Sequence, residues 1–148
     1  MQEVWLPVRG YEGLYEVSDH GRVRSLDRVS EFICRGKIKR TAFEGQLIAL
    51  TACGPKPHQY VGVKLTKGGE PKTHRLHRLV AEHFLPGDAP GMEVNHKDCD
   101  KQNNSVANLE WVTHQQNQRH AADNGRMGHD GWKRRKRSPT GKFLSLPA

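Results

Sequence analysis

Apolar and polar positions alternate in two short N-terminal runs, Leu14-Tyr15-Glu16-Val17 and Arg22-Val23-Arg24-Ser25. A period of two predicts half-buried strands, and the tetrad Ser18-Asp19-His20-Gly21 between them has turn chemistry. The pattern returns in Tyr60-Val61-Gly62-Val63-Lys64-Leu65, with Val61, Val63 and Leu65 on one face. Lys67-Gly68-Gly69-Glu70 then predicts a hairpin turn, with the return strand over Thr73 to Leu76. From there the period lengthens. Leu76, Leu79, Val80 and Phe84 fall at helical spacing and Leu85-Pro86-Gly87 ends the run, so residues 76–84 are predicted as a short amphipathic helix. Between Glu31 and Cys53 no period dominates; Gln46 to Leu50 reads as a strand, and Arg35, Lys37, Lys39 and Arg40 make the surroundings of Ile38 basic.

A second change of period follows Met92. Glu93-Val94-Asn95-His96 is strand-like, Lys97 to Asn104 is polar and turn-forming, and Asn108-Leu109-Glu110-Trp111-Val112 reads as a strand with Leu109 and Trp111 on one face. Thr113 is placed as an N-cap, with Gln116 completing a capping box. The helix it opens is expected to reach Asp123, where Asn124-Gly125 supplies a stop. The whole predicts an α+β chain: N-terminal antiparallel β-hairpins, then strand, loop, strand and helix.

Composition narrows the class. With 148 residues, 34% of them hydrophobic, and a mean hydropathy of -0.81, the chain fits one compact domain or two very small ones. No run approaches the ~18 apolar residues of a membrane span, and the N-terminus has no signal-peptide pattern. Cys34, Cys53 and Cys99 lack CxxC spacing, which argues against a disulfide framework or zinc ribbon and for a reducing, cytoplasm-like compartment.

The net charge of +8 favours a polyanionic partner. Residues 126–148 hold seven basic residues and one acid, together with several Gly and Pro, and so read as a basic, extended arm. Lys133, Arg134, Arg135, Lys136 and Arg137 could lie along phosphates; a solvated tail or a targeting signal would look the same. Arg22 and Arg24 share the strand face opposite Val23, where they could reach successive phosphates or simply meet solvent.

Candidate chemistry centres on Asn95, His96 and Asn117. If the last helix crosses the hairpin before it, the three share a pocket. An imidazole, with an unperturbed pKa of ~6.5, suits a general base near neutrality. Carboxamide oxygens suit a hard cation such as Mg²⁺, which takes further oxygens from water and phosphate. His77 and His83 are six positions apart, a poor match to a helical metal pair, and are assigned packing or hydrogen-bonding roles.

Residues 77–122 resemble the HNH endonucleases of phage and intron homing type. The resemblance is carried by His77-Arg78-Leu79-Val80-Ala81, Val94-Asn95-His96-Lys97-Asp98, Asn103-Asn104, Asn108-Leu109-Glu110-Trp111-Val112-Thr113 and Asn117, with 12 positions from His96 to Asn108 and 9 from Asn108 to Asn117. Trp5 to Ser18, continued by Gly21 to Leu26, resembles the modular motif that commonly precedes these nucleases. The resemblance implies a ββα-metal fold that hydrolyses DNA phosphodiesters with one divalent ion, Mg²⁺ or Mn²⁺. His96 would be the general base, Asn95 and Asn117 metal ligands, and Asn108 the residue that holds the loop and His96. The N-terminal strands, with Arg22 and Arg24, would grip double-stranded DNA.

On this reading, residues 1–57 are a β-rich DNA-binding motif, 58–125 the nuclease and 126–148 the basic tail. One active site per chain implies a nick by a monomer, with a dimer or sequential nicks for a double-strand cut. The compartment would be a bacterial cytoplasm, if the gene belongs to a phage. Two departures stand out. Asn95 occupies a position where many relatives have Asp or His, and Cys99 one where they often have Gly, so a positive φ there would cost this residue something. His120 is a further candidate for a phosphate or metal contact. The rival functions are an inactive DNA-binding regulator of the same fold and a basic RNA-binding accessory protein.

Overall fold

The structure, a computed structural model, describes residues 2–56 and 59–125. They fall into two compact units, one running to Thr113 and one beginning at His114. The basic stretch Lys133 to Arg137 lies outside the described residues.

The first unit opens with a three-stranded antiparallel sheet, β1 (Trp5–Pro7), β2 (Tyr15–Ser18) and β3 (Val23–Ser25), in that order. The β2–β3 connection is the predicted tetrad. Gly21 takes φ +76° within it, and Ser18 closes it by accepting the Arg22 amide on Oγ at 3.0 Å. Alternation decides the faces: Tyr15, Val17, Val23 and Ser25 are buried, while Glu16 and Arg24, paired across the strands, are half-buried.

The stretch without a dominant period is a two-stranded ribbon, β4 (Arg28–Cys34) and β5 (Lys37–Phe43). Cys34 pairs with Lys37, so Arg35-Gly36 forms a two-residue turn with φ of 50° and 71°. Positive φ at both positions is the type I′ geometry that matches strand twist. No buried residue lies in the ribbon, and Val29, Ile33 and Ile38 are 64%, 78% and 69% exposed. Its support comes from cross-strand pairs: Arg40 donates to Glu31 at 2.6 Å, and the Arg28 guanidinium lies 4.9 Å from the Phe43 ring centre.

The strand expected over Gln46 to Leu50 starts later. β6 is Leu50–Cys53, and the chain before it runs along the open edge of β3, with Ser25 N–H donating to the Gln46 carbonyl and Ile48 N–H to that of Val23, each at 2.8 Å. An edge strand needs backbone partners, and these residues supply them through a single bridge, Arg24 to Leu47, rather than a ladder.

β6 pairs with β7 (Tyr60–Lys67), which pairs with β8 (Glu70–Arg75) around Gly68-Gly69. Helix α1 (Leu76–Phe84) follows at once, with the predicted limits. Its apolar stripe, Leu76, Leu79 and Val80, meets Val61, Val63 and Leu65 of β7, the N-terminal Val8, Tyr15, Val17 and Val23, and Leu109, in one core. Residues on both sides of position 57 therefore share a core. Burying each such Val or Leu side chain is worth ~1.5–3 kcal/mol, enough in sum to fix the two hairpin layers on the helix.

β9 (Met92–His96) and β10 (Leu109–Thr113) form the last antiparallel pair, joined by a long loop and a 3-10 turn at Val106–Asn108. The second unit contains α2 (His114–Asp123), which begins directly after Thr113 and stops where predicted, with Gly125 at φ +64°.

Candidate functional site

Register determines what the β9–β10 hairpin presents. Leu109 pairs with His96, Glu110 with Asn95 and Trp111 with Val94. Consecutive strand residues face opposite ways, and the contacts follow that rule. Asn95 turns to Glu110, donating from Nδ2 to Oε1 at 2.9 Å. His96 turns the other way, into a pocket with Asn104, His77 and Tyr60. Asn95 and His96 are both buried.

The loop between the strands is tied internally. Asn108 Nδ2 donates to Asp98 Oδ1 at 2.9 Å and to the Asn103 carbonyl at 2.8 Å, while its Oδ1 accepts the Asp98 amide at 3.1 Å. Asp98 also accepts from the Asp100 amide at 2.7 Å and from Asn103 Nδ2 at 2.8 Å. These donors, the Asp100 amide first, hold its carboxyl below the usual range. Asn108 thus makes three hydrogen bonds within the loop, whereas the His96 ring is bonded to a different residue. Its Nε2 lies 3.1 Å from Asn104 Oδ1. Cys99 sits at the turn after His96 with φ +62°, and its amide donates to the His96 carbonyl at 2.9 Å.

Aromatic and cationic groups border the imidazole. The His77 ring centre is 5.3 Å from that of His96, at an interplanar angle of 66°, and 4.8 Å from that of Tyr60. His77 is buried and its Nδ1 has no hydrogen-bond partner among the described residues. Burial first, then the neighbouring His96 and cations, push its pKa down to about 3, so it remains neutral beside His96. Lys101 Nζ lies 4.4 Å and the Arg75 guanidinium 5.3 Å from the Tyr60 ring centre. His83 makes hydrogen bonds as expected: Nε2 accepts the Arg9 amide at 2.9 Å and Nδ1 donates to the Leu79 carbonyl at 2.7 Å.

Arg22 and Arg24 lie together, as alternation requires, with guanidinium carbons 5.9 and 4.2 Å from the Trp5 ring centre. Each has a carboxylate partner. Arg22 donates to Glu3, and Arg24 Nε donates to Glu16 Oε2 at 2.8 Å. They line a cleft of about 570 Å³ with Trp5, Asp27 and Gln46.

Asn117 belongs to the second unit. It is half-buried on α2 along with His120 and Ala121, at the i, i+3, i+4 positions of one helix face. Among the described residues no three His, Cys, Asp or Glu side chains gather as a metal site.

Sequence reasoning missed Asn104 and Glu110. Glu110 was legible in principle: pairing His96 with Leu109 places it across from Asn95. Asn104 is in the Asn103-Asn104 pair that contributes to the family resemblance, but its place in a polar loop does not predict a buried side chain.

Comparison with known proteins gives a consistent picture. Residues 74–119 match the HNH endonuclease family and residues 3–66 the NUMOD4 motif. DNA endonuclease I-HmuI of Bacillus phage SP01 is 39% identical over 109 residues, which make up 74% of this chain and 52% of that protein. The SPbeta prophage-derived YosQ of Bacillus subtilis (strain 168) is 44% identical over 73 residues, or 48% of this chain and 42% of that one. A solved structure showing DNA binding and cleavage by the HNH homing endonuclease I-HmuI superposes with a TM-score of 0.62 at 38% identity, covering 84% of this chain and 60% of that one. The chain thus spans about half the length of these relatives. The β-hairpins lead into the strand–loop–strand segment that carries Asn95, His96 and Asn108, and that segment is the part of the chain that matches the HNH endonuclease family, with a match to the NUMOD4 motif ahead of it.

Proposed function

We propose that this chain is a homing-type DNA endonuclease that hydrolyses phosphodiester bonds with the help of one divalent ion, Mg²⁺ or Mn²⁺, and nicks one strand per active site. The observation that carries the reading is His96 at the end of β9, ahead of a loop clamped by Asn108, in the segment that matches HNH endonucleases. His96 takes a proton from water as its oxygen bonds to phosphorus; the bond to the 3′ oxygen breaks, and that oxygen leaves as an oxyanion that takes a proton from solvent, giving a 5′-phosphate and a 3′-hydroxyl. General-base catalysis of this kind contributes ~10²–10⁴ in rate.

The residues present fit a hard cation. Donation from Asn95 Nδ2 to Glu110 fixes the amide so that its oxygen is the atom left for a ligand. Asn95 and Asn117 would hold the ion, with Glu110 adding a carboxylate beside Asn95. When bound, the ion supplies positive charge against the developing oxyanion.

The division of labour follows the two modules. Residues 58–125 cut, and 1–57 grip double-stranded DNA through Arg22, Arg24 and the β4–β5 ribbon, whose strands and turn carry Arg28, Arg35, Lys37, Lys39 and Arg40. A two-stranded ribbon is narrow enough for the major groove. The arm with Lys133, Arg134, Arg135, Lys136 and Arg137 adds phosphate contacts. The protein works as a monomer in a bacterial cytoplasm, where its three thiols stay reduced.

Incubating the chain with supercoiled plasmid tests the reading. Relaxation to open circles with Mg²⁺ or Mn²⁺, abolished by EDTA, is expected. Binding without any metal-dependent cut would instead identify a regulator that has kept the fold.

A further inference from the structure

The His96 ring has one hydrogen-bond partner among the described residues, Asn104 Oδ1 at 3.1 Å from Nε2. The orientation of that amide is fixed by its other end. Asn104 Nδ2 donates to the Lys101 carbonyl at 3.3 Å and to the Gln102 carbonyl at 3.0 Å. A flipped amide would set its oxygen against two carbonyl oxygens and its NH₂ against the imidazole, so Oδ1 must face His96. An amide oxygen only accepts. Nε2 therefore carries the proton, and since a neutral imidazole has one N–H, the lone pair resides on Nδ1.

The Asn104 backbone is seated just as firmly, and by the N-terminal motif. Gly21, in the β2–β3 turn, packs so closely that a Cβ there would stand 2.8 Å from the Asn104 carbonyl oxygen and 2.9 Å from its carbon. One residue of that same turn, Asp19, accepts the Val106 amide on its carbonyl at 2.8 Å. Asn104 itself is buried. The NUMOD4 turn is thus the wall against which the nuclease loop sets its amide.

We propose that Asn104 is the positioning residue of the nuclease centre: backed by the Gly21 turn, it holds the His96 ring with Nε2 protonated and presents Nδ1 as the atom that receives the proton from water. This rests on His96 being the base. It also couples the two modules, because any shift of the β2–β3 turn moves Asn104 and with it the ring.

Ring ¹⁵N spectroscopy of the ¹⁵N-labelled full chain reads the tautomer directly, above about pH 8 where an ordinary imidazole is neutral. The wild type is expected to show His96 with a protonated Nε2 and an unprotonated Nδ1. In N104A the two tautomers should mix, and single-turnover plasmid cleavage should slow by roughly 10- to 100-fold with DNA binding unchanged. G21A should shift the same ring signals without altering either side chain. A wild-type His96 protonated on Nδ1, or an N104A chain with the wild-type tautomer and rate, would overturn the proposal. The wild-type spectrum decides the tautomer even where a variant does not fold. It is recorded without DNA or metal, so a chain that does not cut is distinguishable from an Asn104 that does not set the ring.

Discussion

Asn108 and Asp98 exchange two hydrogen bonds across the nuclease loop, the amide of Asp98 to Oδ1 at 3.1 Å and Nδ2 back to the Asp98 carboxylate at 2.9 Å. A carboxamide does both, accepting from one group and donating to the other, whereas a carboxylate can only accept. Asn108→Asp would put two carboxylates together and leave the Asn103 carbonyl without its donor. We expect a loss of about 1–3 kcal/mol in denaturant unfolding and loss of cleavage. Wild-type stability in N108D would show that the loop is held by other means.

The left-handed turn at Cys99 supplies a second prediction. A Cβ at φ +62° costs about 1 kcal/mol relative to glycine. Cys99→Gly should raise the unfolding midpoint and retain cleavage. Arg35, at φ 50° in the ribbon turn, is the parallel case, and Arg35→Asn should stabilise in the same way because Asn tolerates that region. A fall in either midpoint would contradict the strain argument.

His77 makes stability depend on pH. The folded ring gains its proton only near pH 3, the unfolded one near ~6.5. Between those values the unfolded chain binds more protons, so the stability of the fold declines as the pH drops through the window, by up to ~1.4 kcal/mol per pH unit. The contribution is complete above the unfolded value. Chemical denaturation across this range should show that slope, and His77→Phe should flatten it. An unchanged slope in H77F would assign the acid sensitivity to other groups.

Arg22 and Arg24 each meet a carboxylate before they meet any phosphate. Releasing them by the double change E3Q/E16Q should tighten DNA binding and steepen its salt dependence, by up to ~0.9 in slope for each further phosphate neutralised. Neutralising Lys133 to Arg137 should act in the opposite direction, about equally on all sequences. Salt slopes that do not change would remove these groups from the interface.

Much of this architecture can be read from periodicity, because most elements have one face in the core. Helix 76–84, the β7–β8 hairpin and the strand–loop–strand–helix order all follow from where Val61, Leu65, Leu79 and Leu109 must be buried. The β4–β5 ribbon cannot be read this way: with no buried face it has no alternation to detect, and its turn uses Arg rather than Asn before Gly36. The segment before β6 looks like a strand in sequence but follows the edge of β3 with one bridge only. In the site, spacing and family resemblance point to His96, Asn108 and Asn95. Asn104 stays hidden because its role depends on a turn more than eighty residues away, around Gly21.

The central claim is that one imidazole activates water against the DNA backbone, and the most direct measurement compares His96→Ala with the wild type on the same plasmid and Mg²⁺. H96A is expected to retain DNA binding in a gel-shift assay while nicking falls by at least ~100-fold. A variant that binds and still nicks at the wild-type rate would contradict it.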